Sequence, residues 1–347
     1  MLTIVSVIIT GCDFCANYNG DYVMEESDIY FTSIPVNSNV TSIFRISADG
    51  RNIREIWRNA QIYSEPSKTK KIVFTSMIQP DVKFIYKANI DGTSPEVVKN
   101  ELFSNDKLYP ILSSNGKYIA VNDVATGLWI IYEDKTDLKI SSDFCNGTLP
   151  AFSPDGTRIA FYEGGYLTNP LSVVVMDLNQ NPPVVLSRKL HSTGLNNYRG
   201  EATISWSEDG TKICYVISES EVTDVIYVGD YNTENELGYA VVSVGAYQPS
   251  LSKDLTKVAF AARDGNLWIR QLADTGKVLK NITMSGKIST SLYPEWSKDG
   301  KSLLYVKYFK DDLETMHASL EIVDISSELF NTIILSNNVF KGYWNRR

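Results

Sequence analysis

Four aspartates recur in similar settings: Asp155, Asp209, Asp254 and Asp299, each two residues after a serine. Repeated carboxylates could hold a divalent cation or share a proton as an acid–base pair. Their context argues for turns instead, because Asp in a Ser-x-Asp-Gly segment bonds to nearby backbone. Around a ring such turns point away from one another, so these carboxylates are not expected to converge. The two histidines, His191 and His317, fall in segments read as exposed connections, and two isolated imidazoles do not make a metal centre. Of the four cysteines, Cys12 and Cys15 have Cys-x-x-Cys spacing but no second pair or nearby His. Cys145 stands apart, and Cys214 occupies a small-residue strand position and reads as a buried hydrophobe. No Gly-x-Ser-x-Gly, glycine-rich phosphate loop or His-Glu-x-x-His is present. Neither a metal nor a cofactor is expected.

The elements that carry these residues are short strands. Pro150-Ala-Phe-Ser-Pro-Asp-Gly-Thr-Arg-Ile-Ala-Phe161 reads as a strand, a tight Pro154-Asp155-Gly156 turn and a second strand. Proline presets φ, Asp accepts from its own backbone and Gly takes the positive φ. The unit returns at Tyr109–Val121, Ser205–Tyr215 and Tyr293–Tyr305, and, without its glycine, at Pro249–Phe260. A degenerate copy spans Ser64–Phe74, with Lys68-Thr69 in place of Asp-Gly. The second-strand position falls at Ile29, Ile72, Ile119, Ile159, Ile213, Val258 and Leu303, at spacings of 43, 47, 40, 54, 45 and 45 residues. A period in this range marks a propeller blade. A third apolar strand follows each hairpin, for example Val173–Met176 and Leu267–Ile269, and then a weaker fourth, such as Val184–Leu186.

The first copy begins at its second strand, Ile29-Tyr30-Phe31, while Phe340–Asn345 resembles an isolated first strand. Trp344 there occupies the slot of Trp296, Trp206 and Phe152. The expected fold is therefore all-β: a seven-bladed β-propeller of four-stranded antiparallel blades over residues 28–347. The C-terminal strand completes blade one, which removes the open edge.

Residues 1–11 are an apolar run too short to span a bilayer and suited to a signal peptide. Ile9-Thr10-Gly11-Cys12 resembles the bacterial lipobox, although no Lys or Arg precedes it. That resemblance implies lipid attachment at Cys12, with residues 12–27 as an acidic tether. The segments Phe-Ser-Pro-Asp-Gly-Thr-Arg-Ile-Ala-Phe and Trp-Ser-Glu-Asp-Gly-Thr-Lys-Ile resemble the WD40-like propeller repeat of TolB and of prolyl-oligopeptidase-type peptidases. TolB's N-terminal domain has no counterpart, and seven blades is one more than TolB's six. The peptidase domain is absent as well.

With 41 acidic against 33 basic residues the net charge is −8, and no basic stripe offers itself to nucleic acid. The cluster Lys68, Lys70 and Lys71 reads as solvated charge in a turn. Loops entering first strands and joining second to third strands lie on one face, where the resemblance places partners. Candidate binding residues on that face are Tyr109, Tyr166, Tyr247, Gln248, Tyr293, Phe309 and Tyr343. Tyr and Phe combine apolar area with a polar handle or flat face. The expected protein is an envelope-anchored monomer, periplasmic or surface-exposed, that touches the membrane only through its lipid. It binds a protein or glycan without catalysis. The alternative is a carbohydrate-active enzyme with carboxylates at the channel mouth.

Overall fold

The computed structural model describes residues 28–35, 38, 40–79, 82–99, 108–123, 126–142, 148–164, 171–191, 203–218, 224–232, 239–243, 245–272, 279–284, 289–310, 315–326, 332–337 and 339–344. The apolar N-terminal run, Cys12, Cys15, the acidic tether, Cys145 and Tyr166 lie outside the described residues.

Seven four-stranded antiparallel sheets make up a β-propeller. Blade one contains β1 (Ile29–Ser33), β2 (Ser42–Ile46) and β3 (Arg54–Arg58). Blade two is β4 (Ala60–Ile62), β5 (Lys71–Gln79), β6 (Val82–Asn89) and β7 (Glu96–Lys99). Blade three is β8 (Leu108–Leu112), β9 (Ile119–Asp123), β10 (Gly127–Ile131) and β11 (Asp137–Ser141). Blade four is β12 (Ala151–Phe152), β13 (Arg158–Glu163), β14 (Leu171–Asp177) and β15 (Val184–His191). Blade five is β16 (Ser205–Trp206), β17 (Lys212–Ser218), β18 (Asp224–Asp230) and β19 (Tyr239–Ser243). Blade six is β20 (Ala246–Leu251), β21 (Lys257–Ala262), β22 (Leu267–Gln271) and β23 (Leu279–Asn281). Blade seven is β24 (Ser289–Trp296), β25 (Ser302–Lys310), β26 (Met316–Asp324) and β27 (Thr332–Asn337). The last strand, β28 (Val339–Trp344), pairs with β1, giving blade one the order β28-β1-β2-β3.

Register carries the sequence repeat into three dimensions. Trp344 stands opposite Ile29, as Phe152 does Ile159, Trp206 does Ile213 and Trp296 does Leu303. Apolar clusters fill the spaces between successive blades. Phe74 and Tyr86 pack with Tyr30 and Ile43 between blades one and two, and Ile29 and Phe31 join Leu304, Val306 and Leu320 between seven and one. Each blade buries both faces only against its neighbours, which is why the ring forms as a unit.

The turns between first and second strands are type I followed by a left-handed residue. Gly156, Gly210 and Gly300 donate to Ser153, Ser207 and Ser297 carbonyls with φ of 72°, 67° and 67°. Where glycine is lost the conformation persists: Leu255 has φ 57° and Lys70 has φ 59°. The degenerate copy therefore keeps its turn, while its first strand sits ahead of it at Ala60–Ile62. Lys70 is exposed, so Lys70→Gly removes the left-handed strain and loses no packing. We expect a gain of about 0.5–1 kcal/mol, read from urea unfolding midpoints. Leu255→Gly should bring no such gain, because Leu255 packs against the core.

Candidate functional site

The innermost strands determine what can be bound. They are tied blade to blade by hydrogen bonds that reach across the sheets. Thr32 Oγ1 accepts from Ile62 N–H at 3.1 Å, and Ser64 Oγ from Leu112 N–H at 3.2 Å. Trp206 donates its indole N–H to Ala151 O at 3.0 Å, and Trp296 to Ser250 O at 2.9 Å. Ser205 Oγ accepts from Leu251 N–H at 3.2 Å. The first-strand Trp and Phe residues thus serve packing and inter-blade bonding. Arg158 also lies over the rings of Trp206 (5.4 Å) and Tyr231 (4.6 Å).

Within this belt lies a cavity of about 260 Å³, lined from blades two to seven. Its wall includes Tyr63, Phe152 and Trp206, three serines, Ser64, Ser205 and Ser250, and three glutamates, Glu65, Glu208 and Glu295. Two neighbouring first strands carry a bulge here, between Tyr247 and Ser250 in β20 and between Leu292 and Glu295 in β24. Gln248 (φ 54°) and Tyr293 (φ 57°) are left-handed at these bulges, and both line the cavity. Bulges re-aim side chains, and non-glycine residues held at positive φ concentrate at functional sites. Gln248 Oε1 accepts from Tyr293 N–H at 2.9 Å, which joins the two bulges.

Of the binding-face candidates, Gln248 and Tyr293 therefore meet at one wall. Tyr109 instead stacks edge-on against Tyr63 at 5.3 Å, and Tyr247 packs into the core between blades six and seven. Phe309 stacks on His317 at 5.5 Å near the end of β25. Tyr343 pairs through its backbone with Tyr30, and its side chain lies outside the described residues.

Two expectations need correction. His191 is a strand residue in β15 only 5% exposed, set against Tyr215 and Tyr227, and His317 lies within β26. Alternation along β15 turns every second side chain inward. The strand 1–2 turns do converge through one residue each: Lys68, Ser114, Pro154, Glu208, Lys253 and Lys298 all line the cavity. Each follows its turn serine, so the visible signal was the variable x of Ser-x-Asp-Gly. Lys68 is exposed in its turn, and its Nζ also donates to Pro154 O at 2.8 Å.

The turn aspartates behave as caps. Asp209 Oδ1 accepts from Ser207 Oγ at 2.6 Å and Thr211 N–H at 2.9 Å, and Asp299 Oδ1 from Ser297 Oγ at 2.6 Å and Lys301 N–H at 3.0 Å. The serine hydroxyl bonds, together with the backbone N–H bonds, outweigh the opposing effect of burial and hold both carboxyls below the ordinary range. A carboxyl lowered by folding stabilises above its unfolded pKa, near 4, and that stabilisation disappears as pH falls through the folded value. Urea midpoints should therefore be level from about pH 5 to 7 and drop below about pH 4. Asp209→Asn should flatten that drop.

Among the described residues no group of three or more His, Cys, Asp and Glu could hold a metal ion. Among them, too, no helix is long and apolar enough to cross a membrane.

Compared by sequence, no family model and no curated protein matches the chain. Solved structures are similar in fold at low identity. TolB from Acinetobacter baumannii aligns at 16% identity and TM-score 0.57, over 92% of this chain and 66% of that one. A puromycin-hydrolyzing peptidase from Mycobacterium tuberculosis aligns at 12% identity and TM-score 0.61, over 92% of this chain and 53% of that one. The β-propeller domain of the Trilobed protease from Pyrococcus furiosus aligns at 13% identity and TM-score 0.55, over 90% and 92%. The chain is thus a seven-bladed β-propeller resembling TolB and other propellers of diverse function.

Proposed function

We propose that this protein is a non-enzymatic binding propeller of the bacterial cell envelope. It is a monomer held at the membrane by a lipid on Cys12, and it engages a protein or glycan around its channel. The observation that carries the reading is the cavity walled by six tied first strands, with Gln248 and Tyr293 fixed at paired bulges. Such a site is organised before the partner arrives, which lowers the ordering cost of binding.

Crosslinking in envelope fractions tests this with the intact protein, with Ala151→Trp (Ala151 lines the cavity) and with Cys12→Ala. A partner captured by the intact protein and lost with Ala151→Trp is expected. Capture of nothing above the Cys12→Ala control would sink the envelope reading. A carbohydrate-active enzyme is the second reading, favoured by Glu65, Glu208 and Glu295 on the cavity wall. Release of reducing ends from a glycan panel, abolished by Glu295→Gln or Glu65→Gln, would establish it instead.

A further inference from the structure

We infer that the channel takes a neutral mono- or disaccharide, with one of its oxygens held by the side-chain amide of Gln248. The inference names the ligand class for the cavity of the binding reading above and rests on that reading.

Gln248 is 4% exposed and lines the cavity from the β20 bulge. Only its amide oxygen can accept the Tyr293 N–H, so that bond fixes which way the amide faces. Nε2 has no hydrogen-bond partner among the described residues. A buried amide nitrogen left unbonded forfeits its solvation. Gln248 is therefore set to donate to an oxygen inside the cavity, at a point fixed by the two joined bulges.

That oxygen belongs to a neutral molecule. Among the described residues, the charged side chains of the wall are three glutamates, Glu65, Glu208 and Glu295, and three lysines, Lys68, Lys253 and Lys298. The wall thus carries no net charge, and Glu208 and Lys253 also face each other at 3.8 Å. An ionised ligand would give up its hydration here for no net counter-charge.

A peptide backbone is neutral as well, but it binds by adding to a strand edge that alternates N–H and C=O. The first strands of blades four to seven offer no such run. β12 and β16 have two residues each, and β20 and β24 are broken by bulges. Pro66, Pro150, Pro154, Pro249 and Pro294 line the cavity and have no N–H. Two other main-chain donors of the wall, Leu112 and Leu251 N–H, are taken by Ser64 and Ser205 Oγ. Recognition is left to side chains.

A hydroxyl suits those side chains, because it accepts and donates at one atom. It can accept from Gln248 Nε2 and donate to a glutamate of the wall. The Ser64 and Ser205 hydroxyls donate to no group among the described residues and can serve further oxygens. Saccharides carry such two-way groups on a ring with apolar faces, for which Tyr63, Phe152 and Tyr293 supply aromatic carbon. The cavity's volume of about 260 Å³ is the room of roughly nine waters, which suits a small sugar and excludes a folded partner.

Calorimetry with the full chain tests this, using glucose, galactose, cellobiose and lactose. Glucuronate, galacturonate, glucosamine and galactosamine are the charged counterparts, and a pool of uncharged tetrapeptides, acetylated and amidated at their ends, is the peptide control. The best-bound neutral sugar should exceed every charged one by at least about tenfold. Its affinity should be level between about 50 and 500 mM salt. Gln248→Glu keeps an acceptor for the Tyr293 N–H but carries no donor, and should weaken that sugar at least about tenfold. Ala151→Trp, which fills the cavity, should abolish its binding. Thermal unfolding of each variant shows that the fold is kept. Should either be unfolded, Gln248→Met and Leu149→Trp (Leu149 also lines the cavity) take their places. No binding by any neutral sugar, tighter binding of a charged one, binding of the peptides alone, or indifference to Gln248→Glu each overturns the proposal. So does sugar binding that survives Ala151→Trp. An envelope partner still lost with Ala151→Trp, where no sugar binds, keeps the channel reading while the saccharide falls.

Discussion

Replacing Arg45 by methionine is expected to cost about 3–5 kcal/mol of stability, the range for leaving one partner of a buried ion pair behind. Arg45 lies on β2 and its guanidinium is 3.7 Å from the carboxylate of Asp28, just ahead of β1. The side chains are 4% and 0% exposed, so water cannot replace the lost charge. The pair sits in the blade where the two ends of the described chain meet, β28 pairing β1 from the other side. Loss of cooperativity should therefore accompany loss of stability. Adding Asp28→Asn to Arg45→Met should recover part of the cost, since it removes the buried carboxylate that faced the lost guanidinium. Urea unfolding of the two singles and the double closes the cycle. A single Arg45→Met within about 1 kcal/mol of the parent would refute the assignment.

Tyr162→Phe is expected to cost about 2–3 kcal/mol, whereas Tyr215→Phe should be neutral or slightly stabilising. Both tyrosines are fully buried, so the hydrophobic terms are alike. They differ in the hydroxyl. Tyr162 OH donates to Val216 O at 3.1 Å and accepts from Val216 N–H at 3.0 Å. The reason is local. β16 has only two residues and pairs with β17 only at Ile213 and Cys214. Beyond its end, a side chain from blade four takes the place of the missing strand, and phenylalanine would leave two buried main-chain groups unpaired. Tyr215 OH is buried with no hydrogen-bond partner, so its removal relieves an unmet desolvation. Equal unfolding midpoints for the two variants would show that Tyr162 does not act as that substitute strand.

Blade architecture was legible because it is written locally. Seven second-strand positions, the Ser-x-Asp-Gly turns and the Trp344 slot all follow from period-two patterning and turn chemistry. The registers agree at six of the seven, and in blade two the first strand pairs at Phe74–Ser76 and leaves Ile72 without a first-strand partner. Even Lys70 and Leu255 keep the left-handed turn, because the flanking strands over-determine it. The site was legible only in part. Gln248 and Tyr293 stood out as polar and aromatic residues at strand entries, but nothing in their sequence announced the bulges that turn them onto one wall.

His191 could not be placed from sequence, since an imidazole between blades reads the same as one in a loop until its neighbours, Tyr215 and Tyr227, are known. The chain by itself determined the seven sheets, their order and their turns, because hydrogen-bonded hairpins depend on residues near one another. Only the tertiary structure decided that Lys68, Lys253 and Lys298 share a mouth with Glu208. Their sequence separations carry no angular information, and it is the packing of blade against blade that sets which side chains face a common axis.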